Sequence, residues 1–246
     1  MNIYNDFLKK RKKFAILVDP DKNSSEDTVK IAKMAEAANV DFIFVGGSLL
    51  TNDNFESTIK LLKQNCSLPV VIFPGNNMQI SNSADAILLL SLISGRNAEM
   101  LIGKHMIAAP VLKKSSLEII PTGYMLIESG KFTTALYMSN STPIPSDKED
   151  IAVCTAIAGE MLGLKFIFMD AGSGAINPVP LPMISKVKQN ISIPLIIGGG
   201  IRTPEKAVED CRAGADVVVV GNAIEKNPEL ISQISKAVHS EIASVR

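Results

Sequence analysis

Eight short apolar runs, alternating with segments of helical spacing, constrain the fold of this chain more than any other feature. The runs are Phe14–Val18, Asp41–Val45, Pro69–Phe73, Asp85–Leu90, Glu118–Ile120 with Tyr124–Ile127, Lys165–Met169, Ile193–Ile197 and Asp216–Val220. They are apolar throughout rather than alternating, which is typical of strands buried on both faces of a parallel sheet. Eight such strands between helices favour an α/β fold, a single (β/α)8 TIM barrel, over a doubly wound sheet.

The segments between the runs support this interpretation. Ser25–Ala38 and Pro204–Ala213 have helical spacing of their apolar residues. The chain has 246 residues, and α/β barrels reach about 250 residues as one domain, so we expect one domain over 1–246. The irregular stretch Lys131–Lys148 is either a surface excursion before a helix starting near Ser146 or Asp147, or a lid or binding loop. The basic pentad Lys9–Lys13 is interpreted as a solvated helix before the first strand.

Composition excludes several classes of function. Lys and Arg number 25, as do Asp and Glu, so the chain lacks the positive balance of a nucleic-acid-binding protein. No apolar run reaches the roughly 18 residues of a membrane span, and the N-terminal stretch lacks the apolar region of a signal peptide. Cys66, Cys154 and Cys211 are scattered, which suits a reducing cytoplasm better than a disulfide framework. His105 and His239 have no ligand spacing, so both are interpreted as structural and a zinc site is not expected.

Glycine-rich turns follow the last two predicted strands. Gly198–Arg202 comes after strand seven and Gly221–Ala223 after strand eight. In (β/α)8 barrels the active site lies at the C-terminal ends of the strands, and these two loops often hold a phosphate. Glycines let backbone N–H groups approach an anion without a side chain between them. The glycines would also suit simple tight turns, but their occurrence at both phosphate-binding positions favours a phosphate site.

A third glycine-rich turn, Phe168–Gly174, follows strand six on the same rim. Ser173 is a hydrogen-bond donor that would complete an anion cradle. Asp170 would then be a carboxylate near the phosphate, able to accept hydrogen bonds from hydroxyl groups or to take a proton. The alternative is that Asp170 only caps the next turn.

Oxygen-bearing side chains follow strands one and two. Asp19-Pro20-Asp21-Lys22 forms a short rigid turn after strand one, and Ser48 ends the Gly46–Ser48 turn after strand two. Mg²⁺ commonly takes one or two protein carboxylates and completes its coordination with phosphate and water. Because Asp and Pro are also standard turn residues, such a turn taken alone is more often only a turn than a metal site.

Five motifs in this order resemble the geranylgeranylglyceryl phosphate synthase family, which includes the bacterial PcrB-type enzymes. They are LVDPDK, VGGS, DAGSGA, IIGGGIR and VVGNAI, and Ile93–His105 is also similar to the family's segment after strand four. The resemblance covers Phe14 to about Asn227. It implies a (β/α)8 barrel that transfers a polyprenyl group from its diphosphate to the 3-hydroxyl of sn-glycerol 1-phosphate. The resemblance further implies that pyrophosphate is released with the help of Mg²⁺ and that the reaction belongs to phospholipid biosynthesis.

The resemblance also implies roles for individual residues. Asp19 and Ser48 match the magnesium positions, and Asp170 matches the carboxylate expected to be catalytic. The glycerol phosphate positions map to Phe168, Met169, Asp170, Ala171, Gly172, Ser173, Gly174, Gly199, Gly200, Gly221 and Asn222.

Two positions depart from the family pattern. The family commonly has Tyr-x-Glu where this chain has Phe168-Met169-Asp170, which removes a phenol hydroxyl and shortens the carboxylate's reach. Leu17 stands where the PcrB-like branch has Lys, so the chain is closer to the archaeal-type branch with relatives in Bacteroidetes.

The resemblance also implies partners. We expect an apolar groove for the prenyl tail, bordered by strands three to five and by Leu92–Ile93, although these residues are equally suited to core packing. Family members form dimers or hexamers, so we expect a homo-oligomer, and product release predicts a peripheral contact with a membrane. Alternative functions are the same chemistry with heptaprenyl diphosphate, a phosphate-binding barrel isomerase or lyase, and a non-catalytic phosphate sensor.

Overall fold

Eight parallel strands form a closed barrel in the computed structural model, which describes residues 2–241. The strands are β1 Lys13–Val18, β2 Phe42–Val45, β3 Val70–Ile72, β4 Ala86–Leu92, β5 Glu118–Leu126, β6 Phe166–Asp170, β7 Leu195–Gly198 and β8 Val217–Val220. Each pairs in parallel with the next, and β8 pairs with β1. The predicted (β/α)8 barrel is therefore confirmed, with every strand within two residues of its predicted bounds.

Helices connect the strands. They are α1 Ile3–Leu8, α2 Ser25–Ala37, α3 Phe55–Asn65, α4 Lys104–Lys114, α5 Thr134–Ser139, α6 Glu149–Met161, α7 Leu181–Asn190, α8 Pro204–Ala213, α9 Asn222–Lys226 and α10 Leu230–Ser240. A capping box between Ser24 and Asp27 starts α2, and Thr203 caps α8 one residue before Pro204. These local signals explain why both helices start where the sequence predicts. The predicted domain 1–246 also includes residues 1 and 242–246, which lie outside the described part of the chain.

Side chains of the strands alternate between two cores. Those inside the barrel are Ala15, Phe42, Phe44, Val71, Ala86, Leu88, Ile120, Phe166, Phe168, Ile196, Val217 and Val219, whereas their neighbours face the helices. Helix α1 closes the N-terminal end, where Phe7 stacks on Phe42 with ring centroids 3.9 Å apart. Because both cores are packed, the barrel is a rigid support for its loops.

The basic pentad is not a helix, so that prediction is wrong. Helix α1 ends at Leu8, Lys9–Lys12 form a turn, and Lys13 is the buried first residue of β1. The Lys13 ammonium donates to the carbonyls of Lys9 and Arg11 at 2.6 and 2.8 Å, which holds the turn closed. Burial lowers the pKa of Lys13 to about 8.

The stretch Lys131–Lys148 contains structure of its own. It includes α5, and Ile144 forms a parallel bridge with Ile127 just after β5. The helix expected near Ser146 or Asp147 is α6, which begins at Glu149. Strand β5 runs without interruption through Pro121–Gly123, joining the two apolar runs predicted for it. In the part of the chain that is described, none of the helices has both the length and the apolar character needed to cross a membrane.

Candidate active site

Asp170 ends β6 at the C-terminal rim, where both of its oxygens accept hydrogen bonds. Oδ2 accepts from the Tyr124 hydroxyl at 2.5 Å, and Oδ1 accepts from the backbone N–H of Gly172 at 2.7 Å. Burial raises the pKa of Asp170, while the two hydrogen bonds offset part of that rise. A carboxylate that is fixed in place and has a raised pKa is suited to accept a proton.

Gly199 lies against the turn that follows Asp170. A Cβ atom on Gly199 would lie 2.7 Å from Asp170 Oδ1 and from Gly172 N, and 2.8 Å from Ala171 N. Gly199 also has φ +82°, in the left-handed region that favours glycine. The turns after β6 and β7 therefore approach each other at a distance that only glycine allows, as a backbone anion cradle requires.

The turns after β6 and β8 are joined by side chains. Ser173 Oγ donates to Asn222 Oδ1 at 3.0 Å. A Cβ atom on Gly174 would lie 3.5 Å from the Lys131 ammonium and 3.8 Å from Asn222 Nδ2, so both groups border this glycine. Lys131 thus brings a positive charge to the cradle from the loop after β5. Gly221 lies directly before α9, and its carbonyl accepts from Ile224 N at 2.8 Å.

Not every predicted substrate residue faces the cradle. Phe168 is buried inside the barrel, with its ring centroid 5.0 Å from that of Phe73 and 5.6 Å from that of Tyr124. Met169 faces the outer core, because successive side chains of a strand point to opposite faces. Ala171 donates its N–H to Gly198 O at 3.0 Å and extends the strand ladder. The structure therefore brings together Asp170, Gly172–Gly174 and the later turns, whereas the Met169 side chain lies elsewhere.

The predicted magnesium residues come from neighbouring turns. A Cβ atom on Gly47 would lie 3.1 Å from Asp19 Oδ1, so the Asp19 carboxylate lies against the turn that carries Ser48. Gln79 fixes this turn, because its side-chain amide donates to Gly47 O at 2.9 Å and its carbonyl accepts from Gly75 N at 3.0 Å. The donor set is one carboxylate and one hydroxyl. Across the residues described, no group of three or more His, Cys, Asp or Glu side chains is placed to hold a metal.

A cation already lies beside Asp19. Lys22 Nζ is 3.1 Å from Asp19 Oδ2 and 3.6 Å from Glu225 Oε2. Burial raises the pKa of Glu225, and Lys22 opposes that rise. Asp19 also accepts from Asp21 N at 3.1 Å, which stabilises the turn. The Asp19–Lys22 segment is therefore a hydrogen-bonded turn in its own right, as the interpretation without a metal expects.

A largely apolar pocket opens beside these turns. It is lined by Gly47, Ser48, Phe73, Pro74, Gly75, Asn76, Asn77, Ile80, Ile87, Leu89, Leu90, Leu92, Met100, Lys104, His105, Ala108, Leu112, Tyr124, Leu126, Ala135, Met138 and Ser139. Its walls include the segment after β3 and the strands β4 and β5, where the sequence predicts the prenyl groove. Leu92 lines the pocket, but Ile93 points away and packs near Gly123 and Gly159, where added Cβ atoms would each lie 2.8 Å from Ile93 Cδ1.

A π-helical turn, Glu99–Gly103, leads into α4 along one wall of the pocket. Such turns are rare and are frequently found at functional sites. His105 lies just after it, with Nε2 3.3 Å from Ser91 Oγ, and burial lowers its pKa. His239 lies at the opposite end of the barrel, where Nε2 is 2.8 Å from Asp41 Oδ2. His239 is thus far from the rim, whereas His105 is part of the pocket wall.

Two site residues were not found from the sequence. Tyr124 belongs to β5 in register with Phe168, so its hydroxyl reaches the carboxylate on the neighbouring strand. Lys131 belongs to the irregular stretch Lys131–Lys148, for which the sequence allows either a surface excursion or a binding loop. Tyr124 and Asp170 are 46 residues apart in sequence, so their contact appears only once the register of β5 and β6 is known. Tyr124 also lies inside an apolar run, where the sequence gives no sign of a polar role.

The chain matches the model of the PcrB family over residues 5–239. It is 54% identical to the geranylgeranylglyceryl phosphate synthase of Chitinophaga pinensis over 242 residues, covering 97% of this chain and 96% of the relative. It is 39% identical to the synthase of the same name from Methanosphaera stadtmanae over 235 residues, covering 96% of each chain.

A solved structure is also similar. The (S)-3-O-geranylgeranylglyceryl phosphate synthase of Thermoplasma acidophilum, in complex with substrate sn-glycerol-1-phosphate, matches with a TM-score of 0.93 and 34% identity, covering 98% of this chain and 99% of that one. The resemblance seen in the sequence is confirmed by these matches, which include archaeal and Bacteroidetes relatives. Since the match extends over nearly the whole chain, this protein belongs to the PcrB family.

Proposed function

We propose that this protein is a prenyltransferase that joins geranylgeranyl diphosphate to sn-glycerol 1-phosphate through an ether bond. One observation carries the proposal. Tyr124 lines the apolar pocket and also donates to Asp170 beside the glycine cradle. A site for a long apolar chain and a site for a small phosphorylated alcohol therefore meet at one side chain. The names of the relatives from Chitinophaga pinensis and Methanosphaera stadtmanae support the same activity.

The residues at this junction suit the reaction. The 3-hydroxyl oxygen of glycerol phosphate forms a bond to C1 of the prenyl group as the bond from C1 to the diphosphate oxygen breaks. Pyrophosphate leaves with the electron pair, and the hydroxyl proton passes to Asp170, whose raised pKa makes it a stronger base than an exposed aspartate. The glycine turns and Lys131 hold the phosphate, so the hydroxyl is already positioned when the prenyl group binds.

We propose that Asp19 and Ser48 hold Mg²⁺. A carboxylate and a hydroxyl are hard oxygen donors of the kind that Mg²⁺ takes, with substrate phosphate and water as the remaining ligands. When bound, the ion stabilises the negative charge of the departing diphosphate. Ser48 also lines the pocket, so an ion held there would be close to the diphosphate end of a bound prenyl chain. Lys22 adds a second positive charge beside Asp19.

Other functions remain as alternatives for experiment. A longer chain such as heptaprenyl diphosphate would use the same cradle and a deeper pocket. A phosphate-binding isomerase or lyase that acts on a small substrate would have no use for an apolar pocket lined by β4 and α4 side chains. A non-catalytic sensor would bind the phosphate and show no turnover.

We also propose that the protein acts in the cytoplasm as a homo-oligomer, a dimer or hexamer, and contacts a membrane only peripherally when product leaves. The three free cysteines support a reducing compartment. Four apolar side chains on or next to α4 are exposed and support an additional contact surface, namely Ile102, Met106, Ile107 and Val111. Sedimentation of the purified protein, with and without lipid vesicles, tests these proposals.

The decisive experiment is a product assay. Purified protein is incubated with sn-glycerol 1-phosphate and prenyl diphosphates of several lengths, with Mg²⁺ or with a chelator, and product masses are measured. We expect a geranylgeranyl ether only when Mg²⁺ is present. A faster reaction with heptaprenyl diphosphate would select the longer-chain alternative, and no ether product with any chain would contradict the proposed function.

A further inference from the structure

Asp170 is held from a strand other than its own. The Tyr124 hydroxyl on β5 donates to Oδ2 at 2.5 Å, and the N–H of Gly172 donates to Oδ1 at 2.7 Å. The two donors engage different oxygens, so they fix both the position and the rotation of the carboxylate. Each oxygen keeps one further lone pair for a substrate hydroxyl.

Tyr124 is itself held rigidly. Its ring contacts Phe73 and Phe168 edge-on, with centroids 5.8 and 5.6 Å apart. Burial and the neighbouring Asp170 raise the pKa of Tyr124 well above its usual range, so the hydroxyl stays protonated and remains a donor. A rigid ring that carries one donor suits a positioning role.

The β6 strand supplies no such donor. The Phe168 side chain ends in a ring carbon and has no hydroxyl. Its ring tip and Asp170 Oδ1 both border the Gly198 position, since a Cβ atom on Gly198 would lie 3.1 Å from Phe168 Cζ and 3.5 Å from Asp170 Oδ1. A hydroxyl added to the ring of residue 168 would therefore lie in the same part of the barrel as the Asp170 carboxylate. In this chain that hydroxyl is absent and the carboxylate is one methylene shorter than in the commoner family pattern.

We propose that Tyr124 is the positioning residue for the acceptor alcohol, holding Asp170 against the glycerol 3-hydroxyl at the boundary between the cradle and the pocket. This inference rests on the proposed prenyl transfer. In that reaction the proton of the attacking hydroxyl goes to Asp170, while the hydrogen bond from Tyr124 persists. The hydrogen-bond donor to Asp170 thus comes from Tyr124 on β5 and not from residue 168 on β6. Tyr124 also lines the apolar pocket from which the prenyl chain would approach.

The inference predicts that Tyr124→Phe lowers kcat and leaves both KM values nearly unchanged. Tyr124→Phe keeps the ring packing and the pocket wall and removes only the donor. A misplacement of about 1 Å costs on the order of 100-fold in rate, so we expect kcat to fall about 10- to 100-fold. The KM values for glycerol 1-phosphate and for the prenyl diphosphate should change by less than about threefold, since neither the cradle nor the pocket is altered.

The test compares wild type, Tyr124→Phe, Phe168→Tyr and the double variant, with a melting temperature for each. We expect Phe168→Tyr to restore at least part of kcat in the Tyr124→Phe background, because it places a hydroxyl in the part of the barrel that contains the Asp170 carboxylate. Unchanged kcat in Tyr124→Phe would overturn the inference, and so would a kcat loss without restoration in a double variant that melts like wild type. Absence of wild-type turnover would instead overturn the proposed function and this inference with it.

Discussion

Gly199 and Asp170 lie so close together that a Cβ atom on Gly199 would sit 2.7 Å from Asp170 Oδ1. The same atom would lie equally near the N–H of Gly172, which donates to that oxygen. The glycine turns of the proposed phosphate cradle and the proposed base are therefore one packed unit. A change in either turn should affect both substrate binding and the position of the carboxylate.

Gly199→Ala should accordingly lose glycerol phosphate binding. The added methyl group enters the space between two turns, and backbone atoms there cannot move aside cheaply. We expect the dissociation constant for sn-glycerol 1-phosphate, measured by calorimetry, to rise at least about tenfold, the loss of roughly one good hydrogen bond to a charged group.

Gly163→Ala is a matched control for this variant. Gly163 has φ +85°, close to the +82° of Gly199, but a Cβ atom there would meet nothing within 4 Å. Both variants should lose about 1–2 kcal/mol of stability from the left-handed backbone. If Gly163→Ala lost as much affinity as Gly199→Ala, backbone strain rather than the contact with Asp170 would be the cause.

Asp19→Ala should abolish turnover and leave the fold intact. The residue lies in a turn at the rim and contributes a ligand to the proposed magnesium site rather than packing in the core. Its pairing with Lys22 is partly exposed and adds little stability. Rates at saturating Mg²⁺ and a melting temperature check this, with exposed Asp53→Ala as the control on the same rim. Near-native activity of Asp19→Ala would refute the metal assignment.

The barrel could be predicted from sequence because strand burial leaves a local signal. Runs such as Phe14–Val18 are apolar at every position, and helices such as α8 start at a capping residue followed by proline. The pentad Lys9–Lys13 was misinterpreted because its charge suggests solvent, whereas neighbouring carbonyls satisfy the Lys13 ammonium inside the structure.

The site was predictable only in part. Glycine turns after β6, β7 and β8 are visible in sequence because they occupy known positions of the barrel. Tyr124 was not, since its partner Asp170 depends on the register between β5 and β6. Met169 belongs to a segment that matches the family, yet its side chain faces the helices. A sequence motif alone does not determine which of its side chains face the inside of the barrel.

Asp210 should make stability depend on pH. Its carboxylate is fully buried on α8 and bonded to Lys206 Nζ at 2.7 Å, and burial raises its pKa to about 6. The folded state therefore binds this proton more tightly than the unfolded state. The free energy of unfolding should fall by up to about 3 kcal/mol as pH rises from about 4 to 6, and then level off.

Asp210→Asn removes this titration, so its free energy of unfolding should lack that fall between pH 4 and 6. Urea unfolding at several pH values measures the difference, and Glu209→Gln serves as the control because it removes an exposed carboxylate from the same helix. If Asp210→Asn showed the same pH dependence as wild type, another group would be responsible.

The site should distinguish the two enantiomers of glycerol phosphate. The cradle fixes the phosphate, and Asp170 is held on one side by Tyr124 and Gly172. Only sn-glycerol 1-phosphate should then place its hydroxyl against the carboxylate, and losing that hydrogen bond costs at least about tenfold in kcat/KM. Initial rates with each enantiomer measure the preference. Equal rates would contradict the assigned position of Asp170.

Changing the length of the Asp170 side chain tests whether the local backbone is adapted to it. Asp170→Glu recreates the commoner family residue, but its extra methylene must fit where Tyr124 and Gly199 already lie in contact. We expect it to lose on the order of 100-fold in kcat, since a displacement of about 1 Å has that cost. Asp170→Asn should lose more, because it keeps the size and removes both the charge and the proton acceptor. Kinetics and melting temperatures of both variants decide the matter: an Asn variant as active as wild type would leave Asp170 with no chemical role and make it a turn residue only.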